Sequence, residues 1–333
     1  MRKSTFIAWS LCILGAALVL ARASRMVLES DSHQSTVARE GFAQSQPFLL
    51  RRDRECYDDF YAQAYSRVRS DDEWTQYHVD AVVDSTMADP ANATVLDVGC
   101  GTGTVVDAFA RAGFRAVGLD REVAMINECR RAKRRGTFVL GDALDPMAFQ
   151  QNSFSHICCF YYTPYFFDNK AELVFNCRAW LRPGGYLVTH IVDPAHSEFR
   201  FKSPRVNPND ADDADVDDSI GDFADRPQGV KQNDVDTLGF SYSAQFSAAP
   251  SPHTTAASGG VGDRSQQKHV TLTETFVDMS TKHVRQHQQT MVFEGEKRFV
   301  TLVKMTGFAV LAKIDLRPVG APGEALYIFQ KSI

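Results

Sequence analysis

The chain reads as a doubly wound α/β fold with a mostly parallel sheet, and three observations point there. An apolar strand, Val95-Leu96-Asp97-Val98, runs into alternating glycines at Gly99, Gly101 and Gly103. A helix-length segment from Thr104 to Ala112 follows and stops at Gly113. Further short apolar strands then end in carboxylates, at Asp120 and at Asp142. Continuous apolar strands alternating with helices are the signature of a sheet buried on both faces.

Each element follows from its local pattern. Glycines at every second position let the backbone turn sharply and approach a ligand with no Cβ between. The unpaired N–H groups at the start of the next helix would face that ligand. Phe114 to Leu119 is the second strand and Glu122 to about Arg131 the second helix. Thr137 to Leu140 is the third strand, leading into Gly141-Asp142-Ala143, and Ser155 to Phe160 is the fourth. Tyr186 to Val192 is the fifth. The dinucleotide fingerprint G-x-G-x-x-G is not met by this G-x-G-x-G loop, which argues against a nicotinamide oxidoreductase.

The glycine loop, Asp120, Gly141-Asp142-Ala143 and Leu181-Arg182-Pro183-Gly184-Gly185 occur in the order and rough spacing of one family. The chain resembles a class I S-adenosylmethionine-dependent methyltransferase, closely over residues 56–200 and loosely beyond. The resemblance implies S-adenosylmethionine as cofactor, with Asp97, Gly99, Gly101 and Gly103 around its methionine end and Asp120 on the ribose. Arg121 and Met125 would lie against the adenine face, with Asp142 and Ala143 on its edge. Met125 is equally readable as core filler on its helix. Tyr57, Tyr61 and Tyr65 recur every four positions and share one helical face. In such enzymes a helix of this kind commonly covers the cofactor, so Tyr61 and Tyr65 are candidate contacts; a core stripe is the alternative.

The acceptor side is less determined. Phe160-Tyr161-Tyr162-Thr163-Pro164-Tyr165-Phe166-Phe167 follows the fourth strand, where doubly wound sheets bind ligands. Aromatic faces there would favour a positive charge. Thr163-Pro164-Tyr165 lacks the amide of the Asn-Pro-Pro-Tyr element of nucleic-acid-base and glutamine methyltransferases, which weighs against that acceptor class. His190, within the fifth strand, and His196, just after it, are candidates to take a proton from a nucleophile, with Tyr161 a further catalytic candidate. No metal site is indicated: the seven cysteines form no CxxC pair.

The C-terminal part reads as strands His269 to Met279 and His283 to Phe293 around Ser280-Thr281-Lys282, an added hairpin. A helix, Glu294 to Thr306, and strands Ala309 to Leu316 and Ala325 to Gln330 follow. In the family these last two form an antiparallel edge pair, which implies a seven-stranded sheet.

Outside the core, residues 26–55 read as a linker and 203–266 as a flexible acidic, low-complexity insertion between core segments 56–202 and 267–333. Asp210 to Asp236 holds ten aspartates against Arg226 and Lys231. It fails as a calcium loop, with Asp218 where glycine is needed and Ala224 where glutamate is needed. The net charge of −5 leaves no basic surface to suggest nucleic acid. Residues 1–25 contain an uncharged stretch, Ser4 to Ala21, flanked by Arg2, Lys3, Arg22 and Arg25. It reads as a single-pass N-terminal hydrophobic helix anchoring the protein to a membrane. Ala21-Arg22-Ala23 keeps open a cleaved secretory signal, and the absence of acids before Glu29 a mitochondrial presequence. The function implied is methyl transfer to a small molecule. Protein or lipid methylation, or a non-catalytic cofactor-binding scaffold, are the alternatives.

Overall fold

A computed structural model describes residues 44–68, 72–192, 239–248, 268–319 and 321–332. In chain order the elements are β1 (Phe48–Arg52), α1 (Asp59–Val68), α2 (Asp72–Thr86), β2 (Thr94–Val98), α3 (Thr104–Arg111), β3 (Arg115–Asp120), α4 (Val123–Arg131), β4 (Thr137–Leu140), β5 (Phe154–Cys159), α5 (Lys170–Trp180) and β6 (Leu181–Val192). Then come β7 (Phe240–Ala248), β8 (Lys268–Asp278), β9 (Val284–Phe293), α6 (Glu296–Met305), β10 (Phe308–Asp315) and β11 (Glu324–Lys331).

The main sheet has seven strands in the order β10-β11-β6-β5-β2-β3-β4. Its five central and edge strands β2 to β6 pair in parallel. β11 and β10 pair antiparallel at the other edge. Strand residues alternate between two cores, as the pleat requires. Leu96, Val98, Ile157, Leu187 and Phe329 pack with Leu173, Val174, Trp180, Phe299 and Val303 of α5 and α6. Val95, Cys158, Val188, Leu326 and Ile328 pack on the opposite face with Val79, Val82, Val105 and Phe109 of α2 and α3. Helices on both faces make the sheet doubly wound. β6 begins earlier than the sequence suggests, because Leu181 already pairs with Phe154 of β5; the register then shifts before Tyr186 meets His156, and Gly184 in that interval has a φ of +73°.

A second sheet, ordered β1-β9-β8-β7, is where sequence and structure differ. The expected hairpin is its centre, β8 and β9. β7, however, lies inside residues 203–266, read as flexible insertion, and β1 inside residues 26–55, read as linker. Alternation in β7 was masked by its neighbours' composition; Phe240 and Tyr242 are buried against Phe60 of α1 and Phe276 of β8. β1 is short and pairs in parallel with β9, a contact no local pattern reveals. The second sheet packs on α1 and α4 through Phe60, Tyr61, Met125 and Phe276, and on the segment after β5 through Tyr165, Leu272 and Phe293. It thereby covers the carboxyl ends of the main-sheet strands.

The remaining expectations fall elsewhere. Ser4 to Ala21 and His196 lie outside the described residues, as does the whole acidic run, Asp210 to Asp236. Among the described residues no helix is long and apolar enough to cross a membrane.

Candidate functional site

A cavity opens at the carboxyl ends of β2, β3, β5 and β6, beneath the second sheet. Its lining includes Asp97, Gly99, Gly101, Asp120, Arg121, Met125, Asp142, Ala143, Tyr61, Tyr65, Tyr161 and His190. Every described candidate except Gly103 therefore reaches one space.

The glycine loop is held by backbone pairing to its neighbour strand. Gly99 and Cys100 N–H groups donate to the Leu119 carbonyl at 2.8 and 3.1 Å. Gly101 N–H donates to Asp120 Oδ2 at 2.8 Å, and Glu122 N–H to Asp120 Oδ1 at 2.9 Å. Asp120 is thus fixed by two amides, and a carboxylate has lone pairs left over to accept from ribose hydroxyls. All three loop glycines have positive φ, +68°, +52° and +78° for Gly99, Gly101 and Gly103. Their surroundings separate them. A Cβ on Gly101 would come no nearer than 4.0 Å, to the Tyr65 ring, so its conformation and the cavity demand glycine. A Cβ on Gly99 would sit 2.4 Å from Thr163 Cγ2, so this glycine admits the loop after β5. Gly103 does not line the cavity. A Cβ there would meet Phe138 at 2.6 Å and Cys129 Sγ at 2.9 Å, so it serves the packing of α3 and α4.

Electrostatics favour a cationic guest. Burial, with the nearby charge of Asp120, pushes the Asp97 carboxyl well above the usual carboxylate range. Burial raises Asp120 too, opposed by the amides of Glu122 and Gly101. Two desolvated carboxylates facing one cavity lose this strain when a positive charge enters. The sulfonium and ammonium of S-adenosylmethionine fit that requirement. At the far end Asp142 Oδ1 accepts from Leu144 N–H at 3.0 Å, while Ala143 is braced through its carbonyl by Asn176 at 3.0 Å. Met125 is buried against α1 and also lines the cavity.

The tyrosine face is locked from behind. Tyr61 donates to Glu274 Oε2 at 2.5 Å and Tyr242 to Glu274 Oε1 at 2.7 Å, and Gln289 Nε2 reaches Glu274 at 3.1 Å. Tyr57 donates to Gln289 Oε1 at 2.6 Å. Arg285 pairs with Asp58, donates to His287 Nε2 at 2.8 Å, and lies over the Phe60 ring. Burial and the Arg285 charge lower the His287 pKa to about 4, so the ring is neutral.

On the acceptor side Trp74, Phe160, Tyr162, Phe166 and Phe167 join Tyr161 as lining. Tyr161 holds φ at +55°, an uncommon conformation for a bulky residue and a form of local strain that collects at functional sites. Its hydroxyl lies 3.2 Å from Thr75 Oγ1. His190 Nε2 lies 2.9 Å from Glu324 Oε2. Glu324, Gln289, Leu272 and Trp74 were not found from sequence. The first three sit far along the chain from the motifs and are brought in by the pairing of β11 with β6 and the docking of the second sheet, whereas Trp74 arrives with α2, which packs on the main sheet.

Similarity to known proteins agrees with this geometry. Residues 95–185 match the model of a methyltransferase domain. The demethylmenaquinone methyltransferase of Renibacterium salmoninarum is 33% identical over 118 residues, 35% of this chain and 48% of that protein. The chain therefore spans about half the length of that curated relative. The CcbJ methyltransferase of Streptomyces caelestis superposes with a TM-score of 0.57 at 14% identity, over 84% of this chain and 100% of that one. An S-adenosylmethionine-dependent methyltransferase of Clostridium acetobutylicum gives 0.55 at 12% identity, over 84% and 100%. These two likenesses establish the fold. The glycine loop and the strand-end carboxylates all lie within the segment that matches a methyltransferase domain.

Proposed function

We propose that the protein transfers the methyl group of S-adenosylmethionine to a small-molecule acceptor and releases S-adenosylhomocysteine. The observation that carries this reading is a single covered cavity joining the cofactor carboxylates, Asp97 and Asp120, to an aromatic wall around Tyr161 and Tyr162. When bound, S-adenosylmethionine supplies an activated methyl carbon. The protein's part is to position the acceptor in line with it and to exclude water beneath the second sheet.

The second sheet roofs part of the cavity through Leu272 and Gln289, which suits a small acceptor better than a protein segment. Ser4 to Ala21 supports a further element of the proposal, a single-pass anchor that holds the site beside a membrane. The relative from Renibacterium is named as a demethylmenaquinone methyltransferase, and an acceptor of that kind is the first to be tried with this protein. Calorimetry of the full chain with S-adenosylhomocysteine is the direct test, followed by transfer of labelled methyl to small-molecule extract. Micromolar binding with a labelled product is the expected result. Absence of binding by folded protein overturns the reading, and binding with no transfer leaves a scaffold. Fractionation of the full chain against one lacking residues 1–25 tests the anchor, which predicts release of the shortened form.

A further inference from the structure

The acceptor half of the cavity is an aromatic wall whose rings are fixed from behind. Trp74, Phe160, Tyr161, Tyr162, Phe166 and Phe167 line it. Buried His78 ties its parts together: the imidazole packs edge-on against Trp74 at 4.5 Å and Phe160 at 5.2 Å, and lies 5.4 Å from Tyr161. Tyr77 stacks parallel to Trp74 at 6.0 Å, so the half-buried indole is held on two sides. Tyr161 is kept in its left-handed conformation, at φ +55°, with its hydroxyl beside Thr75.

Charge is the first feature that selects an acceptor. Among the described residues lining this half Glu324 is charged and no lysine or arginine occurs. The whole lining sets five carboxylates, Asp97, Asp120, Glu122, Asp142 and Glu324, against Arg121. Aromatic faces and an excess of acid both stabilise a cation. Proton chemistry is the second feature. His190, a candidate base in the sequence, has both ring nitrogens buried and neither makes a hydrogen bond among the described residues. Its Nε2 lies beside Glu324 at 2.9 Å but off hydrogen-bond geometry, so the imidazole offers no nitrogen to a hydroxyl proton. A hydroxyl acceptor needs such a base to become a good nucleophile. A free amine already carries the lone pair that attacks.

Resting on the methyl-transfer reading above, we propose that the acceptor is a small amine methylated on nitrogen, and that the wall of Trp74, Tyr161 and Tyr162, with Glu324 beside it, stabilises the positive charge that forms there. The free amine forms a bond from its lone pair to the methyl carbon. The carbon–sulfur bond breaks as that bond forms, and its electron pair stays on sulfur. Positive charge thus moves from sulfur to nitrogen, and no protein group has to take a proton in the step. Fixed aromatic faces aimed at a charge that develops only during transfer favour the transition state over the bound amine.

The test follows methyl transfer by the full chain to benzylamine, catechol and reduced demethylmenaquinone, which offer nitrogen, oxygen and ring carbon. Benzylamine should be methylated fastest and give N-methylbenzylamine. Benzyltrimethylammonium, which carries the charge but no lone pair, should inhibit that reaction competitively and far more strongly than benzyl alcohol. Trp74→Leu should lower kcat/KM for benzylamine about tenfold or more, and Trp74→Phe should keep a larger share of it. Calorimetry with S-adenosylhomocysteine reports whether each variant is folded. Transfer to either of the other acceptors at or above the rate on benzylamine, or to none of the three, overturns the acceptor class. Equal inhibition by the cation and the alcohol, or full activity of a folded Trp74→Leu, overturns the role of the wall. Failure of S-adenosylhomocysteine to bind the unaltered protein would instead remove the underlying methyltransferase reading.

Discussion

The loop glycines offer a sharp test, because three residues of one motif are held there for three different reasons. Gly103→Ala places a Cβ 2.6 Å from Phe138 and 2.9 Å from Cys129 Sγ at φ +78°. The left-handed conformation costs an L-residue about 1–2 kcal/mol, and overpacking adds about 1–3 kcal/mol. A total of about 2–5 kcal/mol is a large share of the ~5–15 kcal/mol that stabilises a typical domain. Gly101→Ala meets nothing nearer than 4.0 Å at φ +52°, so only the conformational part applies. Its methyl would instead occupy space beside Tyr65 on the cavity wall. Urea denaturation should therefore move the midpoint by about 1 M or more for Gly103→Ala, and clearly less for Gly101→Ala. Calorimetry with S-adenosylhomocysteine should reverse the order, with Gly101→Ala losing about tenfold or more in affinity, or ~1.4 kcal/mol. Gly99→Ala should be destabilised by collision with Thr163 Cγ2, and Thr163→Ser should recover part of that loss in a double-mutant cycle. Equal stabilities for Gly101→Ala and Gly103→Ala, or tight binding by the former, would refute the division of roles.

Asp97 should release a proton on cofactor binding. Burial and Asp120 raise its folded pKa, so the ligand-free protein loses stability as pH rises from the ordinary carboxylate range through that value, and a cationic ligand favours the ionised form. Calorimetry in buffers of different ionisation enthalpy should register the release and an affinity that rises with pH across that window; no buffer dependence would count against the charge pairing. His287, lowered from 6.5 to about 4, stabilises the fold fully above the unfolded value, and this contribution falls away between pH 6.5 and 4 by about 3 kcal/mol. His287→Gln should flatten the acid limb of the stability curve, and an unaltered slope would exclude this histidine as its source. Glu274→Gln puts an amide donor where the carboxylate accepts from Tyr61, Tyr242 and Gln289. Leaving a buried donor unmatched should cost about 1–3 kcal/mol, read as a lower thermal midpoint with weaker S-adenosylhomocysteine binding.

The sequence by itself determined the parallel strands of the main sheet and most of the residues that line one end of the cavity. Strands β2 to β5 and their strand-end groups, Asp97, Asp120 and Asp142, are legible because each is a local event: an apolar run, a turn, then a carboxylate. The tyrosines of α1 were readable as a face, but not what they face, since Glu274 and Gln289 arrive from β8 and β9. Gly103 shows the limit of a motif, because spacing alone cannot tell a glycine that admits a ligand from one that admits Phe138. Tertiary structure alone decided how the β8–β9 hairpin extends into a second sheet, in which β7 joins one side and β1 pairs with a strand more than two hundred residues later. It also decided the meeting of His190 with Glu324, since antiparallel register puts two distant residues on one face in a way no local periodicity records.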